Sequence, residues 1–303
     1  MDSIVSRLDL TQIFCDVDDY CQQFEQLWEQ QPQLPSMLGE KRSRSRMHLS
    51  EIITIVIAFH GSGARTFKDF YTLTVQPYWR KAFPHLVSYN RFVELMPWCL
   101  MLLCCFLHTR KGEITGIQFI DSTPIEVCHP KRAHAHKVFK DLVAWGKNSM
   151  GWHFGFKLHL IINERGELLA FKLTPANTDD RQPVPDLTQD LIGQLFGDRG
   201  YISQKLFEQL YQRGLQLVTK SKKKMKQRLM KLMDKIFLRK RALIESVNDQ
   251  LKNICQIEHS RHRSVFNFLV NLLSGLVAYT YQPKLPSLDL HPKGFPALPP
   301  AFF

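Results

Sequence analysis

The order of strand-like and helix-like segments in the second half of the chain constrains the fold more than any other feature. Five runs are typical of strands, at Gly116–Val127, Trp152–Asn163, Glu167–Thr174, Gln194–Gly197 and Leu215–Thr219. The second and third are joined by the turn Glu164-Arg165-Gly166, which is typical of a hairpin. Antiparallel strands followed by strands that alternate with helices predict an α/β fold, with a mixed five-stranded sheet flanked by helices.

The segments between these strands carry the remaining predictions for this part of the chain. Helices are predicted at 179–193, led by Asp179 and Asp180 as caps, at Ser203–Arg213 and from about 226 to 254. Residues 128–150 are polar, basic and rich in histidine, and they predict a mobile loop.

The first 112 residues predict helices only. Apolar residues recur at helical spacing from Ile13 to Trp28, and helices are expected to begin after the caps Ser50, Thr66 and Ser88. The run after Ser50, IITIVIAF, is rich enough in β-branched residues that a strand stays open as an alternative. The last helix is expected to kink at Pro97.

Length and composition set the domain organisation. At 303 residues the chain is long enough for two domains, a helical region at 1–112 with a predicted role in DNA binding and an α/β domain at 113–282. Residues 283–303 hold six prolines without periodicity and are predicted to be a disordered tail.

Several function classes are disfavoured by composition. The apolar run Met96–Leu107 is 12 residues long and contains a proline, so it is too short to span a bilayer. Seven cysteines without a CxxC pair indicate a reducing compartment, and the N-terminus lacks a signal-peptide pattern, so a cytoplasmic protein is expected. No Gly-rich phosphate loop occurs, so no nucleotide cofactor is expected.

The net charge of +12 is concentrated in one block. The 22 residues from Lys220 to Arg241 hold eleven Lys or Arg and one acid, Asp234. A block of this kind favours a polyanion such as DNA, because each neutralised phosphate releases a counterion; a solvated helix face is the alternative. The predicted phosphate contacts in this block are Lys222, Lys223, Lys224, Lys226 and Arg228.

Three acids lie where an α/β sheet would gather them. Asp121 is within the apolar first strand, and Asp198 directly follows the strand Gln194–Gly197. Glu245 is on the last predicted helix, where Arg241, Asn248 and Lys252 share its face. Each acid taken alone has a purely structural alternative. Asp121 could form a turn, Asp198 could lead the next helix, and Glu245 could be a surface ion-pair partner.

Together the three carboxylates form a donor set that a hard divalent cation prefers. Two such ions about 3.5–4 Å apart can stabilise both the attacking and the leaving oxygen of an in-line phosphoryl displacement. The basic residues beside Glu245 would then hold the DNA backbone, so that the acids and the charge block belong to one site.

The residues around these acids resemble a known family. FIDSTPIEV around Asp121, FGDRGY around Asp198 and R-x3-E-x6-K around Glu245 resemble, in order, the three signatures of DDE transposases from bacterial insertion sequences. The resemblance runs from about residue 85 to 282, with SYNRFVEL and TPANTDD also similar. The related pattern often has a tyrosine where this chain has Leu238, and the end of the chain after about Leu288 is unlike the family.

The resemblance implies a ribonuclease H-like catalytic domain that binds Mg²⁺ or Mn²⁺, with two ions expected. By position, Asp121, Asp198 and Glu245 would be the metal-binding and catalytic triad. Arg241 and Lys252 would contact DNA near the cleaved ends. Arg199 and Tyr201 would support the second motif and also contact DNA. Element ends and target DNA are the implied partners, with a homo-oligomer when ends are paired.

The hypothesis is a metal-dependent transposase, cytoplasmic and associated with the nucleoid. Two alternatives stay open: a nuclease of the same fold that does not join strands, and a catalytically inactive DNA-binding copy. A zinc site at His129, His134 and His136 with Cys128 is a weaker candidate, because the spacing matches no closed four-ligand pattern. Lys157 and His159 are expected to face DNA or solvent.

Overall fold

A computed structural model describes residues 8–29, 46–148, 151–220, 231–258 and 262–288. Six helices form its first part, at Leu10–Glu29 (α1), Leu49–Phe59 (α2), Phe67–Phe70 (α3), Gln76–Tyr78 (α4), Tyr89–Leu95 (α5) and Leu100–Thr109 (α6). A π-helical turn, Tyr71–Val75, joins α3 to α4, and a 3₁₀ turn, Met96–Cys99, joins α5 to α6. The helical N-terminal region is therefore confirmed.

The cap predicted at Ser50 is wrong. The helix α2 begins at Leu49, and the backbone N–H of its cap His48 donates to Glu51 Oε2 at 2.8 Å. The hydroxyl of Ser50 donates instead to Asp18 Oδ1 at 2.6 Å, which ties α2 to α1. Nearly every α2 side chain is buried, so its β-branched residues serve packing, and the strand alternative is excluded. The caps predicted at Thr66 and Ser88 are confirmed.

The stretch Tyr89–Thr109 is helical throughout, because the 3₁₀ turn that contains Pro97 joins α5 to α6 without ending the helix. At 21 residues it is long and apolar enough to cross a membrane by length and composition alone, which the run Met96–Leu107 by itself is not. In this fold its side chains Phe92, Leu103 and Phe106 are buried in the core, as in the central helix of a globular domain.

The sheet has six strands: Ile117–Cys128 (β1), Ala144–Asn148 (β2), Gly151–Asn163 (β3), Leu168–Pro175 (β4), Gly193–Gly197 (β5) and Leu215–Thr219 (β6). Its order is β2-β3-β1-β5-β6, and β4 pairs with the second half of β3. The pair β1–β3 is antiparallel, whereas β1–β5 and β5–β6 are parallel. The predicted mixed sheet is confirmed, with β2 as an additional strand.

Helices complete this part at Val184–Leu187 (α7), Gln204–Tyr211 (α8), Leu232–Lys240 (α9), Ala242–Asp249 (α10) and Val265–Thr280 (α11). The long helix predicted from about 226 is interrupted at Arg241 and ends in a π-helical turn, Gln250–Ile254, and its first residues lie outside the described ones.

Two predictions between the strands are wrong. The loop predicted at 128–150 contains a 3₁₀ turn, Pro130–Ala135, and β2, whose Trp145 packs across the strands against Phe154. The helix predicted at 179–193 reduces to α7, because Pro183 is its cap and Pro185 is in its first turn, so the helix cannot extend back towards residue 179.

The two faces of the sheet are covered by different helices. On one face Phe119, Leu160 and Phe196 join a core with the N-terminal helices and with α9, α10 and α11. On the other face Ile120 and Leu195 pack with α7 and α8. Since side chains alternate along a strand, Asp121 is on the face of α10 and Ser122 is on the face of α7 and α8.

The hydrophobic core continues across residue 112, where a domain boundary is predicted. The C-terminal helix α11 packs on α2 and α6, so the two ends of the chain share apolar contacts. Part of the predicted disordered tail is held in place: Leu288 N donates to Glu164 O at 2.8 Å, beside the β3–β4 turn. Residues 289–303 of that tail lie outside the described residues.

Candidate active site

Two strands place the first two acids side by side. Asp121 is within β1, opposite Leu160 of β3, and Asp198 directly follows β5. The parallel register pairs Phe119 with Phe196, and carried on by two residues it aligns Asp121 with Asp198. Because the strands are adjacent and parallel and both residues are on the same face, these two carboxylates lie side by side at the edge of the sheet where β5 ends.

Asp198 caps the turn that follows its strand. Its Oδ1 accepts from the backbone N–H of Gly200 at 2.8 Å, within the 3₁₀ turn Arg199–Tyr201. A Cβ atom at position 200 would lie 2.9 Å from the same carboxylate oxygen, so glycine suits the close approach. The DRG sequence thereby fixes the Asp198 side chain at the strand end.

The helix α10 brings Glu245 to the same edge through its neighbour Arg241. One guanidinium nitrogen of Arg241 donates to Glu245 Oε1 at 2.8 Å, and the other lies 3.4 Å from Asp121 Oδ1. Asn248 Nδ2 donates to Asp121 Oδ2 at 3.2 Å. Asp121 and Arg241 are about 20% exposed, whereas Glu245 is more open to solvent. We name Asp121, Asp198 and Glu245 together the carboxylate edge.

The electrostatics of Asp121 show that the three carboxylates are neighbours. Burial raises the pKa of Asp121 to about 6, and Arg241 opposes this shift while Asp198 and Glu245 add to it through charge repulsion. A nearby cation would therefore stabilise the ionised form of Asp121.

The donor chemistry of the carboxylate edge fits a hard divalent cation, since all three side chains offer anionic oxygens. Among the described residues, no group of three or more His, Cys, Asp or Glu side chains is drawn together as in a metal cluster. The positive charge between Asp121 and Glu245 is the guanidinium of Arg241 in this structure.

A second polar cluster braces β1 from the opposite face, and sequence reasoning missed it. Ser122 Oγ and Lys157 Nζ donate to the same oxygen of Asp180, at 2.8 and 2.9 Å. Lys157 also donates to the carbonyl of Thr178 at 2.8 Å. The adjacency of Ser122 to Asp121, with the TDD sequence, was the available signal. The cluster holds β1 against β3 directly behind the carboxylate edge.

Capping explains Asp179 but not Asp180. Asp179 Oδ1 accepts from the backbone N–H of Arg181 at 2.9 Å, in the turn before α7, and from its Nε at 2.8 Å, whereas Asp180 is part of the brace. Lys157 and His159 do not face solvent either, since Lys157 is in the brace and His159 is fully buried against Thr174.

The remaining predicted DNA contacts fall into three groups. Arg199 is exposed beside Asp198, and Lys252 Nζ pairs with Glu258 Oε2 at 3.1 Å. Tyr201 is 1% exposed on the α8 face, where burial raises the pKa of its hydroxyl, so it lies beneath the second motif. Leu238, where the related pattern has tyrosine, is buried in the core. Five predicted contacts lie outside the described residues: Lys222, Lys223, Lys224, Lys226 and Arg228.

A comparison with protein families gives a match over the carboxylate edge. A family model described as "Transposase DDE domain" matches residues 111–265, just over half of the chain. The match contains all three carboxylates and the Ser122–Lys157–Asp180 brace, and it begins later than the resemblance noted from residue 85. A comparison with curated proteins gives no match.

Proposed function

This chain belongs to the transposase DDE domain family, and from its transposase-type function we propose that it cuts DNA at the ends of a bacterial insertion sequence and joins them to a target. One observation supports the proposal most: the carboxylate edge, where Asp121 within β1 lies beside Asp198 directly after β5, and Arg241 links Asp121 to Glu245. Three acids on separate elements, at one edge of a sheet, form a site that none of them would form alone.

The family uses divalent metal ions, and we propose that Asp121, Asp198 and Glu245 hold them, as two Mg²⁺ or Mn²⁺ ions. When bound, such ions supply charge stabilisation for the attacking and leaving oxygens of a phosphoryl displacement. The raised pKa of Asp121 is consistent with this role, because a nearby cation would favour its charged form.

The reaction has two displacements at phosphorus. In the first, water attacks a phosphodiester at the element end, and the bond to the 3′ oxygen breaks to leave a 3′-hydroxyl and a 5′-phosphate. In the second, this 3′ oxygen replaces the 3′ oxygen of a target strand on its phosphorus. Both displacements need the same charge arrangement, so one site serves both.

Side chains around the carboxylate edge have distinct roles in this proposal. Asn248 orients the Asp121 carboxylate through its hydrogen bond at 3.2 Å. Arg241 neutralises Asp121 and Glu245 in the free protein and turns to the DNA backbone in the complex. Lys252, Arg199 and the basic block Lys220–Arg241 add phosphate contacts, which makes binding salt-dependent. Two paired ends call for at least a dimer, acting in the cytoplasm on nucleoid DNA.

The test is cleavage of a labelled duplex that carries an element end, with Mg²⁺ or with EDTA. Glu245→Gln keeps the size of the side chain and removes its charge, so cleavage should be lost while DNA binding is kept. Glu208→Gln is the matched control, because Glu208 is exposed on α8 and bonded only to Gln204 among the described residues. Cleavage that survives both EDTA and Glu245→Gln would contradict the proposal.

A supercoiled target plasmid separates the remaining alternatives. A transposase inserts the cut end into the plasmid, whereas a nuclease without strand joining leaves the plasmid free of donor sequence. A catalytically inactive copy would bind the ends in a salt-dependent manner, indifferent to Mg²⁺ and to the Glu245→Gln change.

A further inference from the structure

A groove of about 1120 Å³ lies between the N-terminal helices and the start of α11. The end of α2, the start of α3 and the first turns of α5 form one wall, and α11 with the residues before it forms the other. Its volume is at the upper limit of small-molecule pockets, which measure about 300–1,000 Å³. We name it the α11 groove, and it lies apart from the carboxylate edge.

The floor of the α11 groove has polar atoms without partners. Asn271 is 7% exposed and its Nδ2 has no hydrogen-bond partner in the described structure. One helical turn earlier, Asn267 donates to the carbonyl of Val93 at 3.4 Å, but its Oδ1 accepts no bond there. Buried amide groups without partners cost free energy in a folded protein, so an unsatisfied donor and an unsatisfied acceptor on two residues that line one groove indicate a ligand.

A histidine nitrogen on the lining of the same groove is also without a hydrogen-bond partner. His262 Nε2 is buried and lacks a hydrogen-bond partner among the described residues. Burial lowers the pKa of His262 to about 4, so the ring is neutral near pH 7 and its Nε2 is a donor or an acceptor according to the tautomer. The floor thus offers hydrogen bonds of both kinds, which suits the edge of a nucleobase more than a uniformly anionic ligand.

The rim of the α11 groove is basic and aromatic. Arg65, Lys68 and Arg263 are exposed there, and no ion pair engages them within the described part of the chain. Phe67 and Tyr89 are half-buried aromatic rings in the same wall, with centroids 6.4 Å apart. Cations that attract phosphate and rings on which a base can stack are the two elements of a single-strand binding surface.

Glu258, the one acid among the described residues that line the α11 groove, is already engaged. Glu258 pairs with Lys252 Nζ at 3.1 Å, and its other oxygen accepts from the backbone N–H of Glu126 at 3.1 Å. Glu126 is on β1, five residues after Asp121, which is about 16 Å along an extended strand. Lys252 is on the turn that follows α10. Glu258 therefore links the groove to β1 and to the turn after α10, the two elements that lead to Asp121 and Glu245.

We propose that the α11 groove binds an unpaired nucleotide of the DNA strand that is processed at the carboxylate edge. The base would pair with the amides of Asn267 and Asn271 and stack on Tyr89, and its phosphates would contact Arg65, Lys68 and Arg263. The inference rests on the proposed function for the identity of the strand, but the binding itself needs no catalysis.

The test measures binding in EDTA, so that no cleavage takes place. The full chain is titrated against a labelled duplex with a short single-stranded extension, and against the same duplex with blunt ends. Asn271→Leu keeps the size of the side chain but removes its open donor, and Asn267→Leu removes the open acceptor. Gln209→Leu is the control, an amide-to-leucine change on the exposed face of α8.

Asn271→Leu and Asn267→Leu should each weaken binding of the extended duplex about five- to tenfold, the effect of one lost hydrogen bond, and leave blunt-duplex binding unchanged. The melting temperature of Asn271→Leu should equal or exceed that of the wild type, because leucine leaves no buried donor without a partner. Gln209→Leu should bind both duplexes as the wild type does.

Unchanged affinity of both asparagine variants for the extended duplex would overturn the proposal, as would an equal loss for both duplexes. If Asn271→Leu does not fold, Asn267→Leu and the rim variant Arg263→Gln decide by the same comparison. Loss of cleavage in Glu245→Gln tests the carboxylate edge alone, so failure of the proposed function and failure of this inference give different results.

Discussion

The carboxylate edge and the α11 groove both favour DNA, but they satisfy their polar groups differently. At the carboxylate edge the charges are paired internally, because Arg241 bridges Asp121 and Glu245. In the α11 groove the cations Arg65 and Arg263 and the amide of Asn271 have no such partner in the described structure. A ligand at the edge must therefore displace an internal cation, whereas a ligand in the groove completes groups that are already open.

The largest expected effect is at the centre of the carboxylate edge. Asp121→Asn keeps the hydrogen-bonding shape but removes the anionic charge, so strand cleavage should fall by about 10³-fold or more, as expected when several kcal/mol of charge stabilisation is lost. Cleavage of a labelled element end measures it. Asp190→Asn is the control, an exposed aspartate before the start of β5, at the opposite end of that strand from Asp198. Equal cleavage by the two variants would remove Asp121 from the catalytic site.

The internal cation of the carboxylate edge gives the next largest effect. Arg241→Leu leaves the partly buried Asp121 without its cation, held by the Asn248 amide and the backbone of Ser122, so cleavage should fall roughly 10- to 100-fold, in the range of residues that orient ligands. Arg241→Lys should restore little, because a single ammonium cannot bridge two carboxylates as a planar guanidinium does. Cleavage rates of both variants check this, and full activity of Arg241→Lys would mean that charge alone matters at this position.

The brace behind β1 is tested by two neighbouring residues. Asp180→Asn leaves the mostly buried Lys157 without its acid and should lower the free energy of unfolding by about 1–3 kcal/mol. Asp179→Asn breaks only an exposed pair with Arg181 and should cost about 0–1 kcal/mol. Urea denaturation of both variants compares them directly. Equal losses would mean that Ser122 and Lys157 do not depend on Asp180.

The smallest expected effect is a pH dependence of folding stability that comes from His60, which lies behind the α11 groove. His60 bonds to the carbonyl of Cys255 and to Ser274 Oγ, and burial lowers its pKa to about 4. The pKa of histidine in an unfolded chain is about 6.5. Between this pH and pH 4 the unfolded chain therefore binds more protons than the folded one, and stability falls as the pH drops through this range. Thermal unfolding between pH 7 and 5 measures this loss.

His60→Gln should be less stable at pH 7 and show a flatter dependence on pH over this range. His85→Gln, at an exposed position before α5, is the control and should keep the wild-type dependence. A wild-type pH dependence in His60→Gln would assign the effect to another group.

Local sequence predicted the elements that have strong local signals. Periodicity predicts α1 and the strands β1, β3, β4, β5 and β6, and the motif residues Asp121, Asp198 and Glu245 are named from spacing and resemblance. Predictions from local sequence failed where a residue bonds to a partner far away in the chain. Ser50 has the chemistry of a cap but bonds to Asp18 of another helix, and Asp180 has the same chemistry but bonds to Lys157 and Ser122.

What the sequence determined by itself is the alternation of strands and helices, the motif order and the positive block, because these depend on residues near one another in the chain. Only the tertiary structure decided that Arg241 lies between two acids from different elements, and that Asn267, Asn271 and His262 face one groove with Arg65. The physical reason is that hydrogen bonding and burial are properties of surroundings, and these surroundings are assembled from segments up to two hundred residues apart in the chain.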